Sequence, residues 1–513
     1  MMPAAATPPA SRDTAGSSFS RWLLCVVLAA GALVYAGFIA MNVGAYAAGS
    51  DSSGYLNNAR LLRDGRISTP ARVLPGLPTE QAPSYLYVPL GFKPAGPGKI
   101  VPTYPFGLSL LVNATAVLTG SSLAPNWTLW WHALAGVGLM FLLGRLAGLP
   151  PGWAGLGALL MAACPLHVLF SLQMMSDVPA TTWATATVAL AWLSRTNVRW
   201  APLAGFALGF AVLVRPTNLL IALPAALALG TARRRWLGFV LGGAPAALGL
   251  LLYNWRAYGH PLENGYGGAG GLFEWSNVPV TLAHYAAWLP MLLTPLGLLA
   301  LGLPLCARQL PRWTALLSVW LLSYLALYAS YYNTHETWWY LRFVLPAFPA
   351  AWVAALLVAR EILRRIGWEK LAPVGSLGAW LVGTLAAAAI FLYAAKWNRH
   401  FFTAEAGRGE RVYAEAAEWL QKQVPANAVI VAMQTSGTLF YYTDHAILRW
   451  DQIHEKDFEQ VARAAIAAGR PLFALLEPFE VERIFAEKRV TGHWAQIGAV
   501  KEISLWRFDP PAP

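Results

Sequence analysis

Nine separate stretches of about twenty mostly apolar residues run through this chain, beginning near Trp22, Trp127, Trp153, Val178, Trp236, Leu282, Trp313, Phe343 and Leu371. A helix of that length crosses the hydrocarbon core of a bilayer. Inside lipid, only helices and closed barrels satisfy their own backbone groups. A tenth stretch, Ala201 to Leu229, is too long for one crossing and short for two, and Arg215-Pro216 interrupts it midway. Proline lacks a backbone donor and disfavours helix in the residue before it, so this stretch reads as a tight helical pair folding back at Arg215. The expected fold class is a polytopic α-helical membrane protein of about eleven spans.

Charge supports this and sets the topology. Only 12% of the residues are charged, against roughly a quarter in soluble domains. The formal net charge is +12, but the basic residues occupy short links between apolar runs. That is the pattern of cytoplasmic loops, and no nucleic-acid partner is expected. Residues 1–21 are small and polar and read as a disordered cytoplasmic terminus. The run after Arg21 is too long for a signal-peptide core, so it reads as a retained span. Cys25, Cys164 and Cys306 lie far apart within apolar runs and imply neither a metal knuckle nor a disulfide framework.

One segment, Tyr104 to Gly120, could by hydropathy be a further span. Counting it so would place most basic links outside. Read instead as an interfacial helix, it leaves Arg145, Arg195, Arg199, Arg233 to Arg235, Arg308, Arg312, Arg360, Arg364 and Arg365 on the cytoplasmic side. The spanning module is then 22–400, with a long first outer loop at 43–126. The tail changes character. Helical patterns at Gly409–Gln423, Asp457–Ala468 and Glu480–Lys488 alternate with apolar β-type runs at Ala428–Ala432, Leu472–Leu476 and Glu502–Phe508. A small extracytoplasmic α/β domain is expected over 401–513.

With this topology the ionisable residues at membrane boundaries gather on the outer side. Asp51 opens the first loop, in GSDSSGYLNNARLLRDG, and Lys93 and Lys99 follow later. Asp177 stands at the mouth of a span and Arg215 at the helix break. NWRAYGHPLENGYG carries Arg256, His260 and Glu263, and NTHETWWYLRFVLP carries His335, Glu336, Tyr340 and Arg342. Charges at membrane depth are costly, by about 2.5 kcal/mol or more, and mark paths or sites. Cations beside a carboxylate suit a transfer reaction: the cations bind the phosphate of a lipid-linked donor while the carboxylate takes a proton from an acceptor hydroxyl.

These blocks, with KIVPTYPFGLSLL, SDVPATTW, FAVLVRPTNLLIALP and WWYLRFVLPAFP in the same order, resemble the GT-C glycosyltransferases. They are most similar to the branch holding the protein O-mannosyltransferases and the lipid A aminoarabinose transferases. The resemblance spans about Trp22 to Ala359. It implies inverting transfer of a sugar from a polyprenyl-phosphate donor to a glycan, lipid or protein acceptor, at the outer face of a bacterial inner membrane. Asp51 is then the expected general base, assisted by Asp177. Lys99 and Arg342 are the expected phosphate ligands. Arg215, Tyr55, Glu263, Glu336 and Tyr340 are expected to line the substrate site. Many members of the family carry two adjacent acids in the first loop, whereas Asp51 is followed by Ser52 and Ser53; no metal and no cofactor is therefore expected. For both Asp51 and Asp177 the plainer alternative is a helix cap. The rival function is a transporter or flippase of lipid-linked sugars, which would be expected to show paired repeats; none is visible.

Overall fold

The computed structural model describes residues 14–77, 84–267, 271–368, 376–453, 457–487 and 489–510. The first thirteen residues, Leu371 and Lys488 lie outside these. Residues 14–21 extend the helix of the first apolar run, α1 (Thr14–Asn42).

The apolar runs fold as helices where hydropathy places them, but they divide more finely than a count of spans implies. Among the described residues five helices are long and apolar enough to cross a membrane singly: α1 from Trp22, α4 (Ala124–Leu146), α10 (Arg233–Tyr258), the segment Trp338–Arg365, and Leu377–His400. Two bent pairs bring the number to seven. In the first, α5 (Pro151–Ala163) and α6 (Pro165–Ser171) meet at 58°, where Pro165 cannot donate across the joint. In the second, α11 (Val278–Leu292) leads into the 3₁₀ segment Pro295–Cys306 across a 107° turn. The run from Leu282 is thus a broken or re-entrant element rather than a straight span. Segment Tyr104–Gly120 contributes α3 (Gly107–Thr119), whose thirteen residues are short of a crossing, ended by Gly120 in the left-handed region at φ 62°.

The break at Arg215 is real. α8 (Trp200–Val214) ends with Arg215 extended, and the chain resumes as a 3₁₀ turn, Pro216–Ile221, followed by α9 (Ala222–Leu229). The two arms flank α7 (Asp177–Leu193): the Asn218 amide donates to the Ala180 carbonyl at one end, and Arg195 to the Ala228 carbonyl at the other. α8 also holds α10 by glycine faces. A Cβ at Gly205 would lie 1.8 Å from the Phe239 carbonyl oxygen, and one at Gly242 1.9 Å from that of Pro202. Both sit in small-xxx-small spacings, Gly205/Gly209 and Gly238/Gly242, which let helix backbones touch where lipid offers no hydrophobic drive. α13 (Phe348–Arg365) is the central helix, and its Trp352 and Trp320 of α12 (Pro311–Ala329) are both fully buried in the main apolar core.

The tail folds as a five-stranded sheet of order β5-β4-β6-β8-β7. Strands β4 (Val429–Val431), β5 (Ala446–Leu448) and β6 (Leu472–Leu476) are parallel and wholly buried, which is why β4 and β6 read as unbroken apolar runs. Strands β7 (His493–Val500) and β8 (Ile503–Asp509) close the sheet antiparallel. Helices Arg411–Gln423, Phe458–Ala467 and Pro478–Ala486 match the expected pattern within two residues at most ends. The core of this sheet is shared. Leu74, Leu77, Leu86 and Tyr87 of the first loop pack with one face, and Leu61, Val88, Phe92 and Ile100 with the other. In that loop β3 (Lys99–Pro102) pairs with β1 (Thr69–Pro70) and β2 (Phe92–Pro94). The loop and the tail therefore form one body capping one end of the helical bundle.

Candidate active site

α2 (Asp51–Arg63) begins directly after the Gly49 turn, and Asp51 is its first residue. Ser50 holds the cap position, and neither it nor Ser176, which precedes Asp177 at the start of α7, makes a side-chain cap. The carboxylates are engaged elsewhere. Asp51 Oδ2 accepts from Arg342 Nη2 at 2.8 Å, and Asp177 Oδ1 from Arg215 Nη2 at 2.5 Å. Arg342 Nη1 stands 3.9 Å from Asp177 Oδ2, joining the two pairs. Arg215 also donates to the Arg342 carbonyl at 3.2 Å, fixing one arginine's backbone with the other's side chain. The result is a neutral quartet of two acids and two guanidiniums, drawn from α2, α7, the helix break and the turn before α13. Both acids sit at helix N-termini, where the peptide dipoles favour negative charge.

The quartet is graded in exposure. The Asp177 side chain is 1% exposed and that of Arg215 11%, against 15% for Arg342 and 23% for Asp51. Arg342 and Asp51 thus form its accessible edge. The Arg342 guanidinium lies 5.2 to 5.7 Å from the rings of Phe343, Phe170 and Tyr340. Its Nε is buried with no hydrogen-bond partner among the described residues. A buried donor left unmade costs about 1–3 kcal/mol, and this guanidinium is not saturated by its protein partners among those residues.

Tyrosines roof the acid. Tyr104 shares a 2.7 Å hydrogen bond with Ser50, which places its hydroxyl beside Asp51, while its ring packs 5.2 Å from Tyr55 and 6.1 Å from Tyr266. Gly54 makes this possible, since a Cβ there would meet the Tyr104 ring at 2.5 Å. Burial opposes ionisation of Asp51, but the Arg342 guanidinium and the Tyr104 hydroxyl outweigh it and hold the carboxyl below its ordinary range. Burial, and next the Asp51 charge, push the Tyr55 hydroxyl upward, so it remains a neutral donor. Next to Asp51, the Ser52 hydroxyl reaches Glu410 at 3.3 Å.

Of the residues singled out in the sequence, the structure gathers Asp51, Tyr55, Asp177, Arg215, Tyr340 and Arg342. Lys99 is elsewhere. It is exposed at the head of β3 and lines a cavity of about 290 Å³ with Ser84, Tyr87 and Pro94, sharing no residue with the quartet. Glu263 pairs with Lys93 at 3.8 Å, and Lys93 lies 5.2 Å over the Tyr258 ring. Glu336 is exposed on its loop, and His335 shares a hydrogen bond with Thr281. Sequence reasoning missed Tyr104, Tyr266, Ser176 and Glu410. Tyr104 lay in a block read for its amphipathy, and nothing local marks Glu410.

No family model and no curated protein matches the sequence. Solved structures match in fold. Over 96% of this chain and 100% of its own, ArnT from Cupriavidus metallidurans bound to undecaprenyl phosphate superposes with a TM-score of 0.56 at 12% identity. The apo oligosaccharyltransferase of Archaeoglobus fulgidus matches with a TM-score of 0.52 at 12% identity, over 91% of this chain and 70% of its own. The mycobacterial arabinofuranosyltransferase AftD gives 0.51 at 14% identity, over 95% of this chain and 41% of its own. The chain has the fold of the GT-C membrane glycosyltransferases and carries a small C-terminal sheet.

Proposed function

We propose that this protein transfers a sugar, with inversion, from a polyprenyl-phosphate donor to an acceptor hydroxyl at the outer face of a bacterial inner membrane. The observation that carries the reading is Arg342, which bridges Asp51 and Asp177 while keeping a buried, unused Nε–H. Orientation is supported by charge: Arg195, Arg235 and Arg312 group at the end of the bundle opposite the quartet, as cytoplasmic loops require. The ArnT structure holds undecaprenyl phosphate, and the same class of lipid phosphate fits the cationic edge here.

In the resting protein Asp51 is tied to Arg342 and is a weak base. A donor phosphate arriving at Arg342 replaces Asp51 as its partner, and loss of that neighbouring cation raises the carboxylate's basicity. Asp51 then removes the proton of the acceptor hydroxyl. The acceptor oxygen bonds to the anomeric carbon from the side opposite the phosphate. The carbon–oxygen bond to phosphate breaks, and its electron pair leaves on the phosphate, where Arg342 and Arg215 meet the charge. Asp177 keeps Arg215 in place throughout. Loss of the gene is expected to remove one sugar from the cell-envelope glycans and to enrich one polyprenyl-linked sugar. Mass analysis finding both unchanged would overturn the reading.

A further inference from the structure

Glu410 stands between the last apolar helix and the C-terminal sheet, one residue before helix Arg411–Gln423. It is not a cap: its side chain makes no capping hydrogen bond. Both its oxygens face the Ser52 hydroxyl at 3.3 Å, and Ser52 is buried and adjacent to Asp51 in the chain. A carboxyl has about four lone-pair sites, yet this one shares a single protein hydroxyl. The other two carboxyls of the site each hold an arginine. Among the described residues none pairs with Glu410, since Arg408 turns to Asn42 and Arg411 to Glu415. The remaining titratable neighbours are Asp51 from α2 and Tyr413 on its own helix, the latter hydrogen-bonded to Glu477. A half-buried carboxyl without a cation is unfavourable to keep for packing alone, and such groups concentrate where ligands bind.

We propose that Glu410 is a substrate-binding residue of this site, reaching across from the C-terminal body to hydrogen-bond a hydroxyl of the acceptor. The inference rests on the transfer reading. The arginines answer the acids' charge and suit the donor phosphate, whereas Glu410 reaches the site through the Ser52 hydroxyl, which also points at the Met175 sulfur beside Arg342. A carboxyl without a cation suits a hydroxyl rather than a phosphate, which leaves it to the other reactant. It also gives the C-terminal body a place in the reaction. Burial, with the Asp51 charge beside it, lifts this carboxyl to about 8, so at neutral pH it offers a proton to a hydroxyl oxygen and adds no charge next to the base.

The test uses full-length protein with Glu410→Ala and Glu410→Gln. In cells, Glu410→Ala should lower the envelope glycan product at least tenfold, and Glu410→Gln, which keeps a neutral donor, should restore most of it. Purified in nanodiscs, both variants should bind undecaprenyl phosphate within about twofold of wild type. A carboxyl ionising near 4.5 when unfolded and near 8 when folded lets only the unfolded chain lose its proton between those values. Wild-type stability should therefore fall as pH rises through that window, and Glu410→Gln should remove that part of the fall. Full product in Glu410→Ala, a Gln variant as poor as Ala, or a large loss of phosphate affinity would each overturn the proposal. Unchanged glycans in the gene deletion would sink the transfer reading itself, a separate outcome.

Discussion

At the scale of residues, the site is two acids whose charge is answered by two arginines, and each partner can be removed singly. Arg342→Ala deletes a charge-assisted contact of about 1.5–3 kcal/mol. Its affinity for undecaprenyl phosphate should therefore fall roughly 10- to 150-fold; an unchanged titration in nanodiscs would remove Arg342 as the phosphate ligand. Tyr104→Phe takes away a donor that favours ionised Asp51. The carboxyl's pKa should rise, and the acid limb of the pH–rate profile should move to higher pH; a limb that stays or moves down contradicts the contact. Asp51, Asp177, Arg215 and Arg342 were visible in the sequence because charges at membrane boundaries are few and costly. Their pairing was not, since Asp51 and Arg342 stand 291 positions apart. Lys99 stands apart from them for the converse reason: a basic residue before an interfacial helix can point to solvent as readily as to a ligand, and a hairpin turns this one outward.

At the scale of elements, proline and glycine were the readable marks. Arg215-Pro216 located the helix break that delivers Arg215 beside Asp177, because the residue before proline is driven out of helical geometry. The glycine spacings of α8 and α10 carried equal information about packing that hydropathy alone does not show. Gly205→Leu should force α10 off α8 and lower the melting temperature in detergent by several degrees, as overpacking of about 1–3 kcal/mol would; unchanged melting would deny the close contact. The three-residue strand β5 and the helix Ser436–Tyr442 gave too few periodic residues to be legible, and β7, eight residues long, is a half-exposed edge whose register shifts between Gln496 and Gly498.

At the scale of the whole molecule, the long first loop and the tail are one structure. Arg72 donates to the carbonyls of Phe440 and Thr443 at the end of helix Ser436–Tyr442 and lies 4.1 Å over the Phe440 ring, while Arg60 binds the Tyr441 carbonyl at 2.7 Å. Asn57 of α2 donates to the Gly437 carbonyl. The tail thus braces the helix that presents Asp51. Arg72→Ala should loosen that junction, seen as faster amide exchange across residues 436–448 with the bundle unaffected; unaltered exchange there would show that the apolar core alone holds the body together. Sequence periodicity found the tail's α/β character, but not that its core takes in eight buried residues of a loop more than three hundred residues earlier.

Asp51 acting as base while Arg342 holds the donor is the claim on which everything else depends. Asp51→Asn keeps the shape of the side chain and removes only its basicity and charge. Undecaprenyl phosphate should bind this variant at least as tightly as wild type, because Arg342 is freed, while the envelope glycan product falls by about 10²–10⁴-fold. Product formed at the wild-type rate by the Asn variant would contradict it.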